Sequence, residues 1–591
     1  MNLSKSTRKP GIRLVFRLFC LAALLSLALM GTARAQGLPP PESGGGVVQN
    51  EVLQSLQEQG SSDFIIVMSE QADLSPAHGM DWEQRGWFVY NTLKETAERS
   101  QAAARAVLDA QGVRYQSFIA GNEIYVYDGD PAALNGVLAL GGIAEVIAPV
   151  QISLAAPFRL VQPAPLPQTE LQSAIPWGID YSGAPDFWAS FGLRGEGIRV
   201  ASIDTGAQYD HPALAGSYAC AGGSPGDARC WRDATNVCPA GIPCDDQGHG
   251  THTLGSMVGS DDPSLPYNAG MAPGAQWIAC KGCAGSTCSG AHLSACADWL
   301  IAPGGNPNNR PQVVNNSWGG SSGGGNAWFR ARVVAWRASG IFPVFAAGNY
   351  GANGCSSLVS PGDYPESFAV AAHDSGGRVA YFSSRGPASA ALGAQPYTKP
   401  NLIAPGTGVI SAEPGSQWGW RSGTSMAAPH VAGAVALLWS CAPALKGQMD
   451  ATVQALQQTA RTPPADLTCG TLPAGQGNFA YGYGYLDAWR GGTAICNPGT
   501  YTGIVRDAET GQPLNGTLLT LTKNGVSRQT RTNTSGMFSI LLGNGGWNIS
   551  VAYPGYYSVN LSRTVVVNQT MNETILLIPY PYRLYLPAVT N

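Results

Sequence analysis

"SGTSMAAPH", Ser422 to His430, runs without a break into "VAGAVALLWSCAP". The long segment reads as a helix built almost wholly from small apolar residues, which buries it and lets neighbouring backbones come close. Gly423 allows a tight turn before Ser425, and Pro429 suits a first helical turn, where N–H groups are spare. On this stretch alone two readings of the hydroxyl cluster stay open. Ser and Thr are ordinary N-caps. A serine at a helix mouth is also well placed as a nucleophile, because free N–H groups and the helix dipole favour a developing oxyanion.

Three further stretches bear on the choice. "VASIDTGAQYDHPAL" sets Asp204 at the end of an apolar strand, just before a glycine turn. "DDQGHGTHTLGS" sets His249 between two glycines as a small-residue helix begins. "FPVFAAGNYG" closes another buried strand near Asn349. From residue 175 to 494, short apolar strands alternate with helical stretches. That pattern predicts an α/β domain of three layers, a mainly parallel sheet with helices on both faces. In such a sheet the C-terminal strand ends converge on one crevice. Singly, each residue has a plainer use: Asp204 as a turn residue or cap, His249 as a satisfied imidazole, Asn349 as turn chemistry. Asp245 and Asp246 beside "HGTH" also admit a metal-dependent hydrolase using His249 and His252. Together, in the order Asp, His, Asn, Ser, the four are far more specific than any one alone.

With "DTG", "HGTH", "AAGN", "GTSMAAPH", "SSRGP" at Ser383 and "KPNLIAPG" at Lys399 all in place, the chain resembles the subtilisin-like serine proteases (subtilases, family S8) from Trp177 to Ala488. The runs "DDQGHGTHTLGSMVG", "NNSWGG", "VVAWRASGIFPVFAAGN" and "DYPESFAVAA" resemble the bacillopeptidase F-like branch. The resemblance implies a serine endopeptidase with Ser425 as nucleophile, His249 as general base and Asp204 as its orienting carboxylate. Asn349 would serve the oxyanion hole. Ser317, Trp318 and Gly319 would form one wall of the cleft, with Ala347 and Gly348 in the first specificity pocket. Trp318 either shapes a subsite for the P4 side chain or packs in the core. No cofactor is implied for catalysis. Many relatives place a calcium-binding Asp directly after a His-Pro pair; Ala213 stands there, which puts that site in doubt.

The 591 residues carry a net charge of −4 and only 12% are charged, which argues against a dedicated nucleic-acid binder. Lys5, Arg8, Lys9, Arg13 and Arg17 precede the apolar run Leu18 to Met30, followed by "ARA" at Ala33 to Ala35. Residues 1–35 therefore read as a signal peptide, and the mature protein as secreted, with no membrane anchor. Losing Cys20 leaves twelve cysteines, an even number that favours disulfides after export. Cys280, Cys283, Cys288 and Cys296 fit no zinc spacing well. Cys355, six residues past Asn349, is a free thiol near the pocket or half of a disulfide.

The remaining segments divide as follows. Residues 36–62 read as a leader, and 63–150 as a β-α-β-β-α-β ferredoxin-like module with its first helix near "LKETAERSQAAARAVLDAQG". That module resembles the inhibitory prodomain of subtilases, so the enzyme would be made as a zymogen with its own prodomain as intramolecular inhibitor. Residues 151–174 form a Pro-rich linker and processing region. Alternating Thr/Val/Tyr strands over 499–578 predict a β-sandwich that resembles the carboxypeptidase regulatory-like domain. Residues 579–591 form a tail of no evident role. Asn548 and Asn568 lie in glycan-acceptor triplets. Protein or peptide substrates and a monomer are expected. The competing class is a binding protein with a dead catalytic scaffold, against which every catalytic position is filled.

Overall fold

The computed structural model describes residues 46–154 and 174–580, apart from 240, 268–269, 394–396, 463–465, 467, 471–475, 497 and 524–525. The expected signal peptide, most of the processing region and most of the terminal tail lie outside the described residues.

The N-terminal module contains β1 (Val47–Val48), α1 (Asn50–Gln59), β2 (Ser62–Met68), α2 (Trp82–Ser100), α3 (Ala102–Ala110), β3 (Tyr115–Phe118), β4 (Glu123–Gly129), α4 (Pro131–Leu138) and β5 (Ile143–Ile147). Its sheet has the order β1-β5-β2-β4-β3. β1 pairs parallel to β5, and Val52 and Leu56 of α1 are buried in the module's core. Residues 46–59 are therefore part of the module and not the leader the sequence suggested; their apolar positions were too few to show this. The helix expected near "LKETAERSQAAARAVLDAQG" is α2, which starts earlier, at Trp82, capped by Asp81, whose carboxylate accepts the Gln84 N–H at 2.9 Å.

Next comes β6 (Gln151–Ser153), then the large domain with α5 (Trp177–Tyr181), α6 (Ala184–Phe191), β7 (Arg199–Asp204), β8 (Trp231–Asp233), α7 (His249–Val258), β9 (Gln276–Lys281), β10 (Cys283–Ala284), β11 (Thr287–Ser289) and α8 (Gly290–Ile301). β12 (Val313–Asn316), α9 (Arg330–Ser339), β13 (Phe342–Ala346), β14 (Phe368–His373), β15 (Leu402–Pro405), β16 (Val409–Glu413), β17 (Gln417–Arg421), α10 (Thr424–Cys441), α11 (Met449–Thr459) and α12 (Ala488–Ile495) complete it. Seven parallel strands run β15-β14-β13-β12-β7-β9-β8. The chain leaves β7 toward β9 on one side and returns to β12 on the other, so the switch point lies beyond the ends of β7 and β12. α10 runs through the core: every residue from Thr424 to Trp439 except Ser425 is buried.

The N-terminal module docks on α8 and α9. Asp298 of α8 accepts the N–H groups of Ile119 (2.7 Å) and Ala120 (2.9 Å), while Arg332 of α9 pairs with Glu123. A third anchor is Arg85, whose guanidinium donates to the carbonyls of Arg337, Ala338 and Gly447 and so caps the end of α9.

The C-terminal sandwich comprises β18 (Gly499–Asp507), β19 (Leu518–Lys523), β20 (Val526–Arg531), β21 (Met537–Leu542), β22 (Gly545–Ala552), β23 (Val559–Val565) and β24 (Thr570–Leu577). Sheets β21-β18-β24 and β20-β19-β22-β23 face each other over a core that includes Tyr501, Leu519 and Trp547. β18 alternates buried and half-buried positions along its length, the signature that made it legible.

Among the described residues all twelve cysteines are paired: Cys220–Cys230, Cys238–Cys244, Cys280–Cys296, Cys283–Cys288, Cys355–Cys469 and Cys441–Cys496. The open question over Cys355 is thereby closed in favour of a disulfide. No helix among the described residues is long and apolar enough to cross a membrane.

Candidate active site

Asp204 ends β7, and its Oδ1 lies 2.7 Å from His249 Nδ1. Both side chains are buried. The carboxylate also accepts the Thr205 N–H at 2.7 Å and the Thr253 hydroxyl at 3.3 Å, so its orientation is fully specified. His249 opens α7, and the next residue must be small. A Cβ on Gly250 would sit 2.1 Å from the Gly206 carbonyl oxygen. Asp245 holds this junction. It accepts from Thr205 Oγ1, Thr251 Oγ1 and the N–H groups of Gly248 and Thr251. Burial opposes its charge, but those hydrogen bonds, led by the Thr251 hydroxyl, outweigh it and hold the carboxyl below its ordinary range.

Ser425 is the second residue of α10 and the only half-open position on its first four turns. Its hydroxyl donates to the Ser317 carbonyl at 3.0 Å. Pro429 lies in the second turn, not the first as its sequence suggested, and so removes the N–H that the Ser425 carbonyl would take. Ser317 Oγ–H fills that gap at 2.8 Å. Asn349 sits three residues past β13; its Oδ1 accepts both the Thr424 N–H and the Thr424 hydroxyl at 2.9 Å. That fixes the amide, with Asn349, Thr424 and Ser425 lining one cavity of about 30 Å³.

Ser317, Trp318, Gly319, Gly348, Ala346, Tyr350 and Val359 line the same cavity. Gly348 has φ +109°, and a Cβ there would lie 2.7 Å from Val359 Cγ1. Ala347 does not line it; it is buried against Leu358 and Ala388, because side chains alternate along the extended chain after β13. Trp318 is chiefly a core residue. Its indole N–H donates to the Ile203 carbonyl at 3.1 Å, and the ring packs edge-on against Phe329 and Phe345. Tyr350 and Val359 carried no local signal in the sequence; the loop that follows Asn349 folds back to bring Val359 in, where its N–H donates to the Ala347 carbonyl at 3.2 Å.

The remaining wall comes from residues assigned to the linker. β6 adds to β11 as an antiparallel strand, with Ile152 opposite Cys288. The Leu154 N–H reaches the Ser286 carbonyl at 2.8 Å, and the Gly290 N–H reaches the Val150 carbonyl at 2.7 Å. Ser153 and Leu154 thus line the cavity that holds Ser425.

The metal-hydrolase alternative finds no site. His252 Nε2 is bonded to the Val409 and Gly419 carbonyls, and burial holds its pKa well below the ordinary value. Asp246 pairs with Lys281. No cluster of three or more metal-ligating side chains occurs among the described residues. After the His211-Pro212 pair, Ala213 is a buried methyl with no side-chain oxygen to offer a cation, and its N–H donates to His211 Nδ1 at 3.0 Å.

A buried Asp–His pair, a serine at a helix mouth and an amide beside it, at the switch point of a parallel sheet, define the architecture of a subtilisin-like fold. The chain belongs to the subtilase family: that family's profile matches residues 195–484. It is 32% identical over 276 residues to subtilisin from Bacillus pumilus, covering 46% of this chain and 86% of that protein. Bacillopeptidase F from Bacillus subtilis (strain 168) is 40% identical over 337 residues, covering 54% of this chain. The chain spans only 22% of that relative's length, and 63% of subtilisin E. The carboxypeptidase regulatory-like domain profile matches residues 500–577. The crystal structure of fervidolysin from Fervidobacterium pennivorans aligns with a TM-score of 0.53 at 17% identity, over 90% of this chain and 80% of that one, a likeness of fold.

Proposed function

We propose that the chain is a secreted serine endopeptidase made as a zymogen. The observations that carry this reading are the 2.7 Å Asp204–His249 bond at the start of α7, which packs against α10, and the cavity shared by Ser425 and Asn349 at the start of α10. Ser425 Oγ attacks the scissile carbonyl as its hydroxyl turns from the Ser317 carbonyl to His249 Nε2. His249 takes the proton and returns it to the leaving amine, and Asp204 holds the tautomer and stabilises the imidazolium. The Asn349 amide and the Ser425 N–H at the positive end of α10 stabilise the oxyanion. Water then releases the acyl group. Every role is filled by a side chain or backbone group of the chain itself.

Substrate adds to β11 as a strand, in the way that residues 151–153 do. While they lie there the N-terminal module acts as inhibitor, and cleavage beyond them frees the cleft. No carboxylate lines the cavity among the described residues, which favours a hydrophobic or broad preference at P1 over a basic one. Cleavage of a mixed peptide library dominated by Arg at P1 would overturn that preference. Export is supported by the fully paired cysteines.

The test is casein hydrolysis by the mature protein beside Ser425→Ala, with self-processing of both precursors followed on a gel. Loss of both activities in the variant is expected, by the several orders of magnitude established for subtilisin itself. A variant that still cleaves would sink the assignment.

A further inference from the structure

The cleft edge that receives β6 is the short hairpin β10–β11, which pairs with no other strand among the described residues. Cys283 and Cys288 face each other across it and are joined by a disulfide, and Cys280–Cys296 ties the strand before it to α8. Two polar ties complete the fastening. The Lys281 side chain is 0% exposed, and its ammonium donates to the Cys283 carbonyl at 2.9 Å and to Asp246 Oδ1 at 2.5 Å. It donates also to the Thr205 carbonyl at 2.6 Å, one residue past Asp204. The second Asp246 oxygen accepts the Gly285 N–H, in the hairpin turn, at 2.9 Å.

Adjacent carboxylates thus have different partners. Asp245 bonds only within the segments that carry Asp204 and His249, and needs nothing from the hairpin. Asp246, with Lys281, reaches from those segments to the hairpin. We infer that Asp246 and Lys281 are positioning residues for extended substrates: their ion pair holds the β10–β11 edge in register with Asp204 and His249.

This rests on the serine endopeptidase reading. Once residues 151–154 have left, the edge has no neighbour on its open side. Freedom gained there must be lost again whenever a substrate backbone pairs with it, and that loss weakens binding and near-attack alignment. A substrate with one residue before the scissile bond makes none of the hairpin contacts that Val150 to Leu154 make. Its turnover depends on the Asp245-held junction instead.

The experiment compares kcat/KM of mature wild type, Asp246→Asn and Lys281→Met on two substrates: an acylated tetrapeptide p-nitroanilide and a single-residue N-acetyl ester. Active enzyme is counted by labelling with a small fluorophosphonate. The tetrapeptide value is expected to fall about tenfold or more in each variant, mainly through KM, and the ester value no more than about threefold. The double variant should be little worse than either single one. Equal losses on both substrates, or an undiminished tetrapeptide rate, would overturn the inference. If Lys281→Met does not fold, Asp246→Asn and the Cys283→Ser/Cys288→Ser pair give the same comparison. Wild type that takes up no fluorophosphonate would remove the endopeptidase reading itself, and the inference with it.

Discussion

Ser317 and Ser425 exchange two hydrogen bonds running in opposite directions. Ser317 Oγ–H donates to the Ser425 carbonyl at 2.8 Å, and Ser425 Oγ–H donates to the Ser317 carbonyl at 3.0 Å. The first exists because Pro429 has no N–H to offer that carbonyl. The missing helix bond is thereby replaced by one that fixes the serine's backbone against the end of β12.

Ser317→Ala should leave the Ser425 carbonyl unpaired, at a cost of about 1–3 kcal/mol, and lower kcat more than it alters KM. Ser317→Thr, which keeps the hydroxyl, should recover most of both. Pro429→Ala restores an N–H donor, so Ser317→Ala/Pro429→Ala should be less destabilised than the sum of the single changes. Thermal unfolding of the four proteins checks this; strict additivity would mean that the two residues are not coupled.

The docking of the N-terminal module should depend on the buried Glu123–Arg332 pair. In the Ser425→Ala precursor, Glu123→Leu leaves the Arg332 guanidinium buried without its carboxylate, a loss of about 3–5 kcal/mol. Removing both, with Glu123→Leu/Arg332→Met, should recover much of that. Urea unfolding reads the difference, and a precursor indifferent to Glu123→Leu would show that docking energy comes from Arg85 and the apolar contacts instead.

Asp298 makes docking sensitive to pH. Burial pushes its carboxyl up to about 7, although the N–H groups of Ile119 and Ala120 pull the other way. Released from the interface it titrates near 4. A pKa raised in the docked state means that docking binds a proton between those values. The stabilisation is complete below about pH 4 and is lost as pH rises through about 7. The Ser425→Ala precursor should therefore lose thermal stability between pH 5 and 8, and less so when Asp298→Asn is added. Parallel pH profiles of the two precursors would assign the dependence elsewhere.

Cys355–Cys469 joins residues 114 apart and holds the loop that follows Asn349. Opening it with Cys355→Ser/Cys469→Ser should cost about 5 kcal/mol by the chain-entropy estimate. KM should rise as well, because Val359 reaches the cavity through that loop. A calorimetric scan with peptide kinetics checks both; an unchanged KM would show that the loop keeps its place without the bond.

How much of this was legible in sequence follows from how local each cause is. Asp204, His249 and Ser425 each sit at a boundary between an apolar run and a glycine turn, so their surroundings announced them. Ala346 lines the cavity where the sequence points to Ala347, because one residue along an extended chain reverses the facing and only the register of β13 decides between them. Residues 46–59 read as leader in sequence because a two-residue strand and one short helix have no pattern until β5 lies beside them.

The sequence by itself determined the α/β class, the order Asp204, His249, Asn349, Ser425 along the chain and the sandwich, because each rests on periodicity and turn chemistry within a dozen residues. Tertiary structure alone decided which cysteines pair, which carbonyl Ser317 satisfies, and that Asp245 and Asp246 turn to different partners. It also decided that residues 151–153 lie in the cleft. Those outcomes depend on how separate segments meet, as Asp246 does with Lys281, Ser317 with Ser425 and Cys355 with Cys469, and no local pattern encodes a distance in space.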